Sequence, residues 1–284
     1  MGDVHRFPRS TAGVAAAAIS SVLSSVLFLS AAPAGAVVGG TDDTANRFAN
    51  VGVLQLQIEG EWFDFCSGTL VAGGVVLTAA HCTDFFGAEV GDPEGPGPDD
   101  LRVSFDPDPD EASTYFGVDH LIVHPDWFTA PPCLGNSKRL CLAPPAEDIA
   151  LVFLAGVVAG VEPAPIASLG YLDGLDMKSE TFTVVGYGVD EFTTGSFFAP
   201  HAVVVVDGIR SYREVSATPA RDAFPDRFVK ITQSTCFGDS GGPLLHDGTV
   251  VGINTWTFSV RCSGPNFAYR TDSAVAQAFL DSNL

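Results

Sequence analysis

The chain has 284 residues and is strongly acidic, because 34 aspartates and glutamates against 14 lysines and arginines give a formal net charge of −20. Such a charge repels the phosphate backbone, so we expect no nucleic-acid partner. Beyond the N-terminal region no segment is apolar for long enough to span a bilayer, so we expect no membrane attachment of the mature chain.

Residues 1–36 have the features of a secretory signal. Arg6 and Arg9 precede a nearly uncharged stretch, residues 11–29, and a small-residue cleavage site follows at 34–36, Ala-Gly-Ala. A membrane anchor is the alternative, because the stretch approaches spanning length. Its many Ser and Ala residues and the Ala-x-Ala motif favour a signal. We therefore expect a secreted, extracellular protein whose first residue is Val37.

After residue 36, short apolar runs alternate with Gly, Pro and Asp, a pattern that indicates many short β-strands in barrels or sandwiches. Residues 159–168, which contain Pro163 and Pro165, are interpreted as a linker between two groups of strands. The predicted strands are 51–58, 69–71, 75–79, 101–105, 120–123 and 148–154 in the first group, and 182–186, 202–206, 228–232, 243–245, 250–255 and 267–270 in the second.

The C-terminal residues 272–281 are predicted to form a helix. Asp272 is the expected N-cap, and Val275, Phe279 and Leu280 have the spacing of one apolar helical face. This helix would follow directly on the last predicted strand and close the fold.

Three segments carry side chains that together can perform nucleophilic catalysis. His81 ends the apolar run Leu-Thr-Ala-Ala-His, Asp148 opens the run Asp-Ile-Ala-Leu-Val-Phe-Leu, and Ser240 lies in Gly-Asp-Ser-Gly-Gly-Pro. A serine hydroxyl needs a base whose pKa lies near the working pH, and the histidine needs a carboxylate that orients its ring and stabilises its cation. Each segment alone is typical of a packed histidine, a strand start or a tight turn. The chain order His, Asp, Ser favours a triad.

With these segments, the chain resembles the trypsin and chymotrypsin family of serine endopeptidases. The resemblance covers residues 37–284. It rests also on Val-Val-Gly-Gly at 37–40, Ser-Gly-Thr-Leu at 67–70, Val-Gly-Tyr-Gly at 185–188 and Thr-Trp at 255–256. It implies an all-β fold of two antiparallel six-stranded barrels, residues 37–160 and 161–284, with the active-site cleft between them and a short C-terminal helix.

The resemblance also implies a role for each candidate residue. His81 is the general base, Asp148 its orienting partner and Ser240 the nucleophile. The N–H groups of Gly238 and Ser240 are the donors that stabilise the oxyanion, and the flanking glycines allow this close backbone approach. No cofactor is implied.

The predicted cleavage site has a further consequence. In the resembled family a newly formed N-terminal Ile or Val amine pairs with the aspartate before the nucleophile, which here implies an ion pair between Val37 and Asp239. We therefore hypothesise that removal of the signal itself activates the enzyme, without a separate propeptide.

The six cysteines are an even set in a chain predicted to be secreted, so disulfide bonds are expected. Their number alone leaves the connectivity open. The resemblance pairs Cys66 with Cys82 and Cys236 with Cys262, which leaves Cys133 to pair with Cys141. Zinc binding is the alternative, but no two cysteines have the close spacing of metal ligands, so no metal site is predicted.

Acidic residues concentrate at 92–111, a stretch rich in Pro and Gly. A solvated loop is the simpler interpretation. A calcium site is the alternative, because part of the stretch falls where some relatives bind calcium through carboxylate and carbonyl oxygens. The Asp-Pro-Asp-Pro-Asp run does not match an EF-hand loop, so calcium binding is kept as a hypothesis only.

Substrate preference is expected to depend on a pocket located by the resemblance. Its base falls at Ser234, where trypsin-like members carry an aspartate, and a neutral serine removes the charge that would pair with Arg or Lys. Thr257 and Asn266 stand where glycines are usual and would narrow the pocket. We expect a neutral residue before the scissile bond, with large aromatic residues disfavoured. The predicted substrate-binding residues are Ser234, Phe237, Thr255, Trp256, Thr257 and Asn266.

Two other classes of function share parts of this signature. An inactive relative serving as a binding module would also be secreted and disulfide-linked, but such proteins generally lose a triad residue, and none is missing. A secreted esterase would share Ser, His and Asp, yet in α/β-hydrolases the serine comes first. The sequence therefore predicts a secreted, monomeric serine endopeptidase that acts on proteins or peptides and is a target for proteinaceous inhibitors.

Overall fold

The computed structural model describes residues 37–83, 97–112, 114–127, 147–189, 208–220, 226–257, 262 and 264–284, and most of its regular structure is antiparallel β-strand. The predicted signal, the predicted strand at 202–206, and Cys133 with Cys141 lie outside these residues. The strands are β1 (Thr41–Asp42), β2 (Val51–Ile58), β3 (Glu61–Ala72), β4 (Val75–Thr78), β5 (Leu101–Ser104), β6 (Phe116–Val123), β7 (Ala150–Leu154), β8 (Phe182–Gly186), β9 (Ser211–Val215), β10 (Ala217–Pro219), β11 (Phe228–Ile231), β12 (Pro243–His246), β13 (Thr249–Thr257) and β14 (Asn266–Arg270).

Six strands of the first half close into a barrel in the order β2-β3-β4-β7-β6-β5. Closure follows because β2 pairs with β3 on one side and with β5 on the other. All residues from Val51 to Leu56 in β2 are buried, on both faces of the strand. One continuous apolar core explains this, since it joins Val53 of the barrel to Tyr269 of β14.

The strands of the second half form an eight-stranded sheet together with β1 from the N-terminal end of the chain, in the order β1-β9-β8-β12-β13-β14-β11-β10. The sheet curls strongly, because β9 and β10 lie near opposite edges although only Ser216 separates them in the chain. The Ser216 carbonyl accepts a hydrogen bond from the Thr232 N–H (3.1 Å). The all-β, trypsin-like architecture agrees with the prediction. The second sheet, however, is a curled half-barrel of eight strands in the described residues, where a six-stranded barrel was expected.

The C-terminal helix α1 spans Ala274–Asn283, and its predicted N-cap is wrong. The Ser273 hydroxyl accepts the hydrogen bond from the Ala276 N–H (3.2 Å), which is the N-cap contact. Asp272 is buried instead, where its carboxylate accepts hydrogen bonds from the Leu172 N–H and from Arg270.

The apolar face of α1 also differs from the prediction at one position. Phe279 and Leu280 are buried as predicted, but the third buried side chain is Ala276, and Val275 is 38% exposed. At ten residues, α1 is too short to cross a bilayer, and no other helix among the described residues has the length and apolar character that crossing requires.

A fully buried arginine joins the barrel to the second sheet. Arg210 donates to the Asp43 carboxylate (2.9 Å), to the carbonyls of Val51 (3.0 Å) and Phe105 (2.9 Å), and to the Tyr187 hydroxyl (3.1 Å). A buried charge is tolerated only when it is paired and hydrogen-bonded in this way. These contacts fix the position of Tyr187, directly beyond β8.

Candidate active site

His81 and Asp148 meet at one end of the barrel. Pairing of β4 with β7 sets Thr78 opposite Ala150. The short turn at Ala80–Cys82, which follows β4, therefore lies beside Asp148 and Ile149, which precede β7. The Asp148 carboxylate accepts hydrogen bonds from the His81 ring Nδ1 (2.8 Å) and from the His81 backbone N–H (3.0 Å). Asp148 is buried, while the His81 side chain is 32% exposed. One carboxylate thus orients the ring and leaves its other nitrogen available.

The electrostatics of this pair favour a protonated ring. Burial lowers the pKa of His81, but the charge of Asp148 and its hydrogen bond outweigh burial and raise the pKa above the ordinary value of 6.5. When the His81 ring accepts a proton, the resulting imidazolium cation is therefore stabilised by Asp148.

A disulfide bond ties the His81 turn to the neighbouring strand. Cys66 of β3 is bonded to Cys82, and their Cα atoms are 6.1 Å apart. The bond between Cys236 and Cys262 is also present, with a Cα–Cα distance of 5.2 Å. Both pairings agree with the expectation, and two disulfides fit an oxidising, extracellular compartment. Cys66 and Cys82 lie close to His81, but disulfide sulfurs are not the thiolates that bind a metal.

The Ser240 loop lies against the same end of the barrel, between β11 and β12. The Ser240 carbonyl accepts a hydrogen bond from the Ser67 N–H (2.7 Å). Gly241 has a φ of +82°, and a Cβ there would come within 2.1 Å of the Thr78 hydroxyl. This contact requires glycine, and it packs the residue after Ser240 against the strand that leads to His81.

Three polar groups of this loop, the Ser240 hydroxyl and the N–H groups of Gly238 and Ser240, have no hydrogen-bond partner among the described residues. The Ser240 side chain is half-buried and makes no hydrogen bond with the described residues, so no such bond joins its hydroxyl to the His81 ring. The N–H groups of Gly238 and Ser240 likewise donate to no acceptor in the described part of the chain. Hydrogen bonds between catalytic groups are often long or poorly aligned in a free enzyme and tighten only when substrate is bound.

Asp239, between these two residues, is fully buried. Its carboxylate accepts hydrogen bonds from the N–H groups of Gly188 (2.9 Å) and Cys236 (2.8 Å). Burial raises the pKa of Asp239 to about 8, against the lowering effect of those two bonds. Val37 is also fully buried, and the neighbouring Val38 N–H donates to the Ser234 carbonyl (2.9 Å). The start of the described chain therefore lies beside the segment that leads into the Ser240 loop.

Comparison with known proteins identifies the family. The sequence model of the trypsin family matches residues 37–279. The chain belongs to the trypsin family. It is 35% identical over 241 residues to chymotrypsin-like elastase family member 1 of Macaca fascicularis, covering 80% of this chain and 81% of the relative. It is 29% identical over 243 residues to chymotrypsin-C of Mus musculus, covering 80% of each chain.

Solved structures agree on the fold. The VesB protease of Vibrio cholerae superposes with a TM-score of 0.58 at 17% identity, covering 86% of this chain and 67% of that one. Human heparin binding protein gives the same TM-score at 18% identity, covering 86% and 95% of the two chains. The predicted family, fold class and enzyme class are confirmed: this trypsin-family protein is a serine peptidase, a hydrolase whose substrates are proteins.

In this trypsin-family peptidase the predicted pocket residue Asn266 contacts the segment of the predicted pocket base, Ser234. Its side chain is fully buried, accepts hydrogen bonds from the N–H groups of Ser234 (2.8 Å) and Thr235 (3.2 Å), and donates to the Thr235 carbonyl (3.0 Å). The Ser234 hydroxyl donates to the Thr232 carbonyl (2.9 Å). The Asn266 carboxamide is therefore held against the base segment by three hydrogen bonds.

The other predicted pocket residues lie on the neighbouring strand and in the Ser240 loop. Trp256 stacks on Phe267 with ring centroids 4.7 Å apart, and the Thr255 hydroxyl donates to the Phe267 carbonyl (3.0 Å). Thr257 and Phe237 are half-buried. The strand thus carries polar and aromatic side chains next to the Asn266 carboxamide.

Sequence reasoning missed a buried carboxylate next to Asp148. Glu147 accepts a hydrogen bond from the Tyr269 hydroxyl of β14 (2.5 Å) and pairs with Arg227, the residue before β11 (3.1 Å). Burial raises the pKa of Tyr269 well above its ordinary range. These contacts tie the segment before Asp148 to the second sheet. The acidic pair at 147–148 was a visible signal, but only the fold shows which partners it meets.

Proposed function

We propose that this trypsin-family peptidase is a secreted endopeptidase in which Ser240 is the nucleophile, His81 the general base and Asp148 its orienting partner. The observation that carries the proposal is the double hydrogen bond from His81 to the buried Asp148 carboxylate, at the same end of the barrel as the Ser240 loop. The N–H groups of Gly238 and Ser240, which have no acceptor among the described residues, are proposed as the oxyanion donors.

The reaction proceeds in two halves. The Ser240 hydroxyl oxygen attacks the carbonyl carbon of the scissile peptide while its proton passes to His81 Nε2, and Asp148 stabilises the resulting imidazolium. The oxyanion is stabilised by the two N–H groups. As the C–N bond breaks, His81 returns the proton to the leaving amine and an acyl-enzyme remains. Water then attacks the acyl carbon while its proton passes to His81, and His81 returns that proton to the Ser240 oxygen as the ester C–O bond breaks and the acid product leaves.

We propose further that cleavage after Ala36 activates the enzyme. Asp239 is buried without a cationic partner among the described residues, and burial has raised its pKa to about 8. An ammonium at Val37, which is itself buried beside this segment, would supply the missing positive charge. Breaking such a pair costs about 3–5 kcal/mol, so its formation would hold the Ser240 loop in one conformation.

The preferred residue before the scissile bond is proposed to be neutral and of moderate size. Support comes from the neutral Ser234 at the predicted base and from the Asn266 carboxamide, whose three hydrogen bonds hold it across that base. A cationic side chain finds no carboxylate there, and a large ring meets the bound carboxamide.

The remaining features of the proposal follow the sequence. Residues 1–36 are the signal, the two halves divide at residues 160–161 with the cleft between them, and the mature enzyme is a monomer open to protein inhibitors.

In the acidic stretch at 92–111, Asp106 and Asp108 accept hydrogen bonds from backbone N–H groups of their own loop, which supports a solvated loop. A melting temperature that chelator lowers would instead support the calcium hypothesis.

Covalent labelling tests the function. A fluorophosphonate probe should label the secreted protein at Ser240, and the Ser240→Ala variant should remain unlabelled. Labelling followed by cleavage of a peptide library supports an endopeptidase. An unlabelled, correctly folded protein would instead indicate a binding module, and turnover of esters without peptides would indicate an esterase.

A further inference from the structure

The side chain of Ser67 connects the first barrel to the Ser240 loop. Ser67 is fully buried in β3, and its hydroxyl donates to the Gly238 carbonyl (2.8 Å) and accepts from the Tyr187 N–H (3.0 Å). The direction of these bonds is unambiguous, because a backbone N–H can only donate and a carbonyl can only accept. The hydroxyl proton of Ser67 therefore points at Gly238.

Gly238 is the residue whose orientation this contact controls. Its φ is +95°, and glycine has wide freedom about both backbone torsions. The preceding peptide plane is held because the Phe237 carbonyl accepts from the Val189 N–H (3.0 Å). The following plane is held at its carbonyl by Ser67 and at its N–H by the bond from Asp239 to the Cys236 carbonyl (3.1 Å). Because the N–H and C=O of a trans peptide point in opposite directions, the Val189 bond sets the direction of the Gly238 N–H, and the Ser67 bond fixes the glycine on the other side of its Cα.

Both contacts depend on one anchored segment. The Tyr187 hydroxyl donates to the carbonyls of Val51 (3.2 Å) and Asp106 (2.8 Å) and accepts from Arg210 (3.1 Å). The Ser67 backbone adds two further bonds, donating to the Ser240 carbonyl (2.7 Å) and accepting from the Thr78 hydroxyl (2.9 Å). Ser67 thus holds the carbonyls of Gly238 and Ser240 against β3, the strand that pairs with β4 before His81.

We propose that Ser67 is a positioning residue for the oxyanion site: its hydroxyl holds the Gly238 N–H in the direction that a developing oxyanion requires. The inference rests on the proposed function, in which Gly238 and Ser240 supply the oxyanion donors. Without the hydroxyl, the Gly238 carbonyl has no hydrogen-bond partner among the described residues, so the plane after the glycine can shift and carry the N–H out of the required direction.

The variant Ser67→Ala tests this proposal against the control Ser104→Ala. Ser104 is also fully buried in the first barrel, and its hydroxyl also accepts a backbone N–H, from Asp106 (3.2 Å). Turnover of a peptide amide is measured together with the affinities for two ligands, a peptide aldehyde and the product peptide. A peptide aldehyde forms a hemiacetal with Ser240 whose oxygen occupies the oxyanion position, whereas the product peptide binds without one.

In Ser67→Ala we expect kcat to fall by about 10- to 100-fold, below the loss of about 100- to 1,000-fold for a deleted oxyanion donor, since the N–H remains but is misdirected. Aldehyde affinity should fall in parallel, while KM and product affinity stay within about twofold. Ser104→Ala should change none of these. Ser67→Thr, which keeps the hydroxyl, should restore much of kcat and of aldehyde affinity.

Unchanged kcat and aldehyde affinity in folded Ser67→Ala would overturn the proposal, as would equal losses of aldehyde and product affinity, which indicate general damage. If Ser67→Ala does not fold, Ser67→Cys retains the volume with a weaker donor and must show the same selective loss on a smaller scale. Wild-type protein that reacts with neither fluorophosphonate nor aldehyde would instead contradict the proposed function itself.

Discussion

The Asp148 carboxylate accepts two hydrogen bonds from a single residue, through the ring Nδ1 and the backbone N–H of His81. Both oxygens of a buried carboxylate are therefore used to hold one imidazole. A second His–Asp contact of equal length exists at the surface, where His120 Nδ1 lies 2.8 Å from Asp119. The two pairs differ in exposure, since Asp119 is 68% and Asp148 only 2% exposed at the side chain.

This contrast predicts the effect of removing one charge. Asp148→Asn should reduce kcat by about 10⁴-fold, because the ring then adopts the wrong tautomer and its cation loses a partner. Asp119→Asn, the matched surface control, should leave kcat within twofold. Steady-state kinetics with a peptide amide provide the measurement. Equal effects of the two substitutions would exclude Asp148 from the reaction.

The raised pKa of His81 predicts opposite trends in activity and stability with pH. The ring acts as a base only when it is neutral, so the acid limb of kcat/KM should have a midpoint above 6.5. The stability contributed by the pair is fully present below the unfolded pKa of about 6.5 and is lost as the pH rises through the folded pKa. A pH–rate profile with a midpoint below 6.5 contradicts the assignment.

Two forms of the protein, one with residues before Val37 and one that begins at Val37, should differ in how their stability depends on pH. When residues precede Val37, Asp239 keeps a pKa of about 8, so between its unfolded pKa near 3.8 and pH 8 only the unfolded state is ionised. Stability of this form should therefore fall as the pH rises through that window. A form that begins at Val37 should lose much less, because the ammonium favours the ionised carboxylate.

Melting temperatures of the two forms from pH 5 to 8 provide the test, and N-terminal sequencing of the active secreted enzyme accompanies it. The gap between the two melting curves should widen toward pH 8. Parallel curves would argue against pairing of Val37 with Asp239, and an active form that starts at another residue would exclude activation by signal removal.

Asn266 predicts a change of substrate preference. Asn266→Gly removes the carboxamide that is bound across the predicted pocket base, so kcat/KM for Phe relative to Ala before the scissile bond should rise by about tenfold or more. Loss of three hydrogen bonds should also lower the free energy of unfolding by about 3 kcal/mol. Asn50→Gly, which removes a half-buried asparagine whose carboxamide donates to the Glu162 carbonyl (3.4 Å), is the control. An unchanged Phe-to-Ala ratio would place the pocket elsewhere.

Local patterns in the sequence were sufficient for several features. Runs of alternating and continuous apolar residues predicted β2, β4 and β7, because side-chain direction repeats every two residues along a strand. The segments around His81, Asp148 and Ser240 indicated the family. The resemblance to that family also implied the Cys66–Cys82 and Cys236–Cys262 bonds, which the structure contains. The Cys133–Cys141 bond and the signal peptide remain predictions.

Other features were decided only by the tertiary structure. The segment that forms β9 and β10 has no apolar run, and its strands form by pairing with distant strands, β9 with β1 and β8, and β10 with β11. The helix cap moved from Asp272 to Ser273 because Asp272 is recruited by Arg270 and Leu172. The Ser67 hydroxyl meets Gly238 across 171 residues of sequence. Such contacts depend on where the barrel and the curled sheet bring distant backbone groups together, and the local periodicity of the sequence carries no information about that.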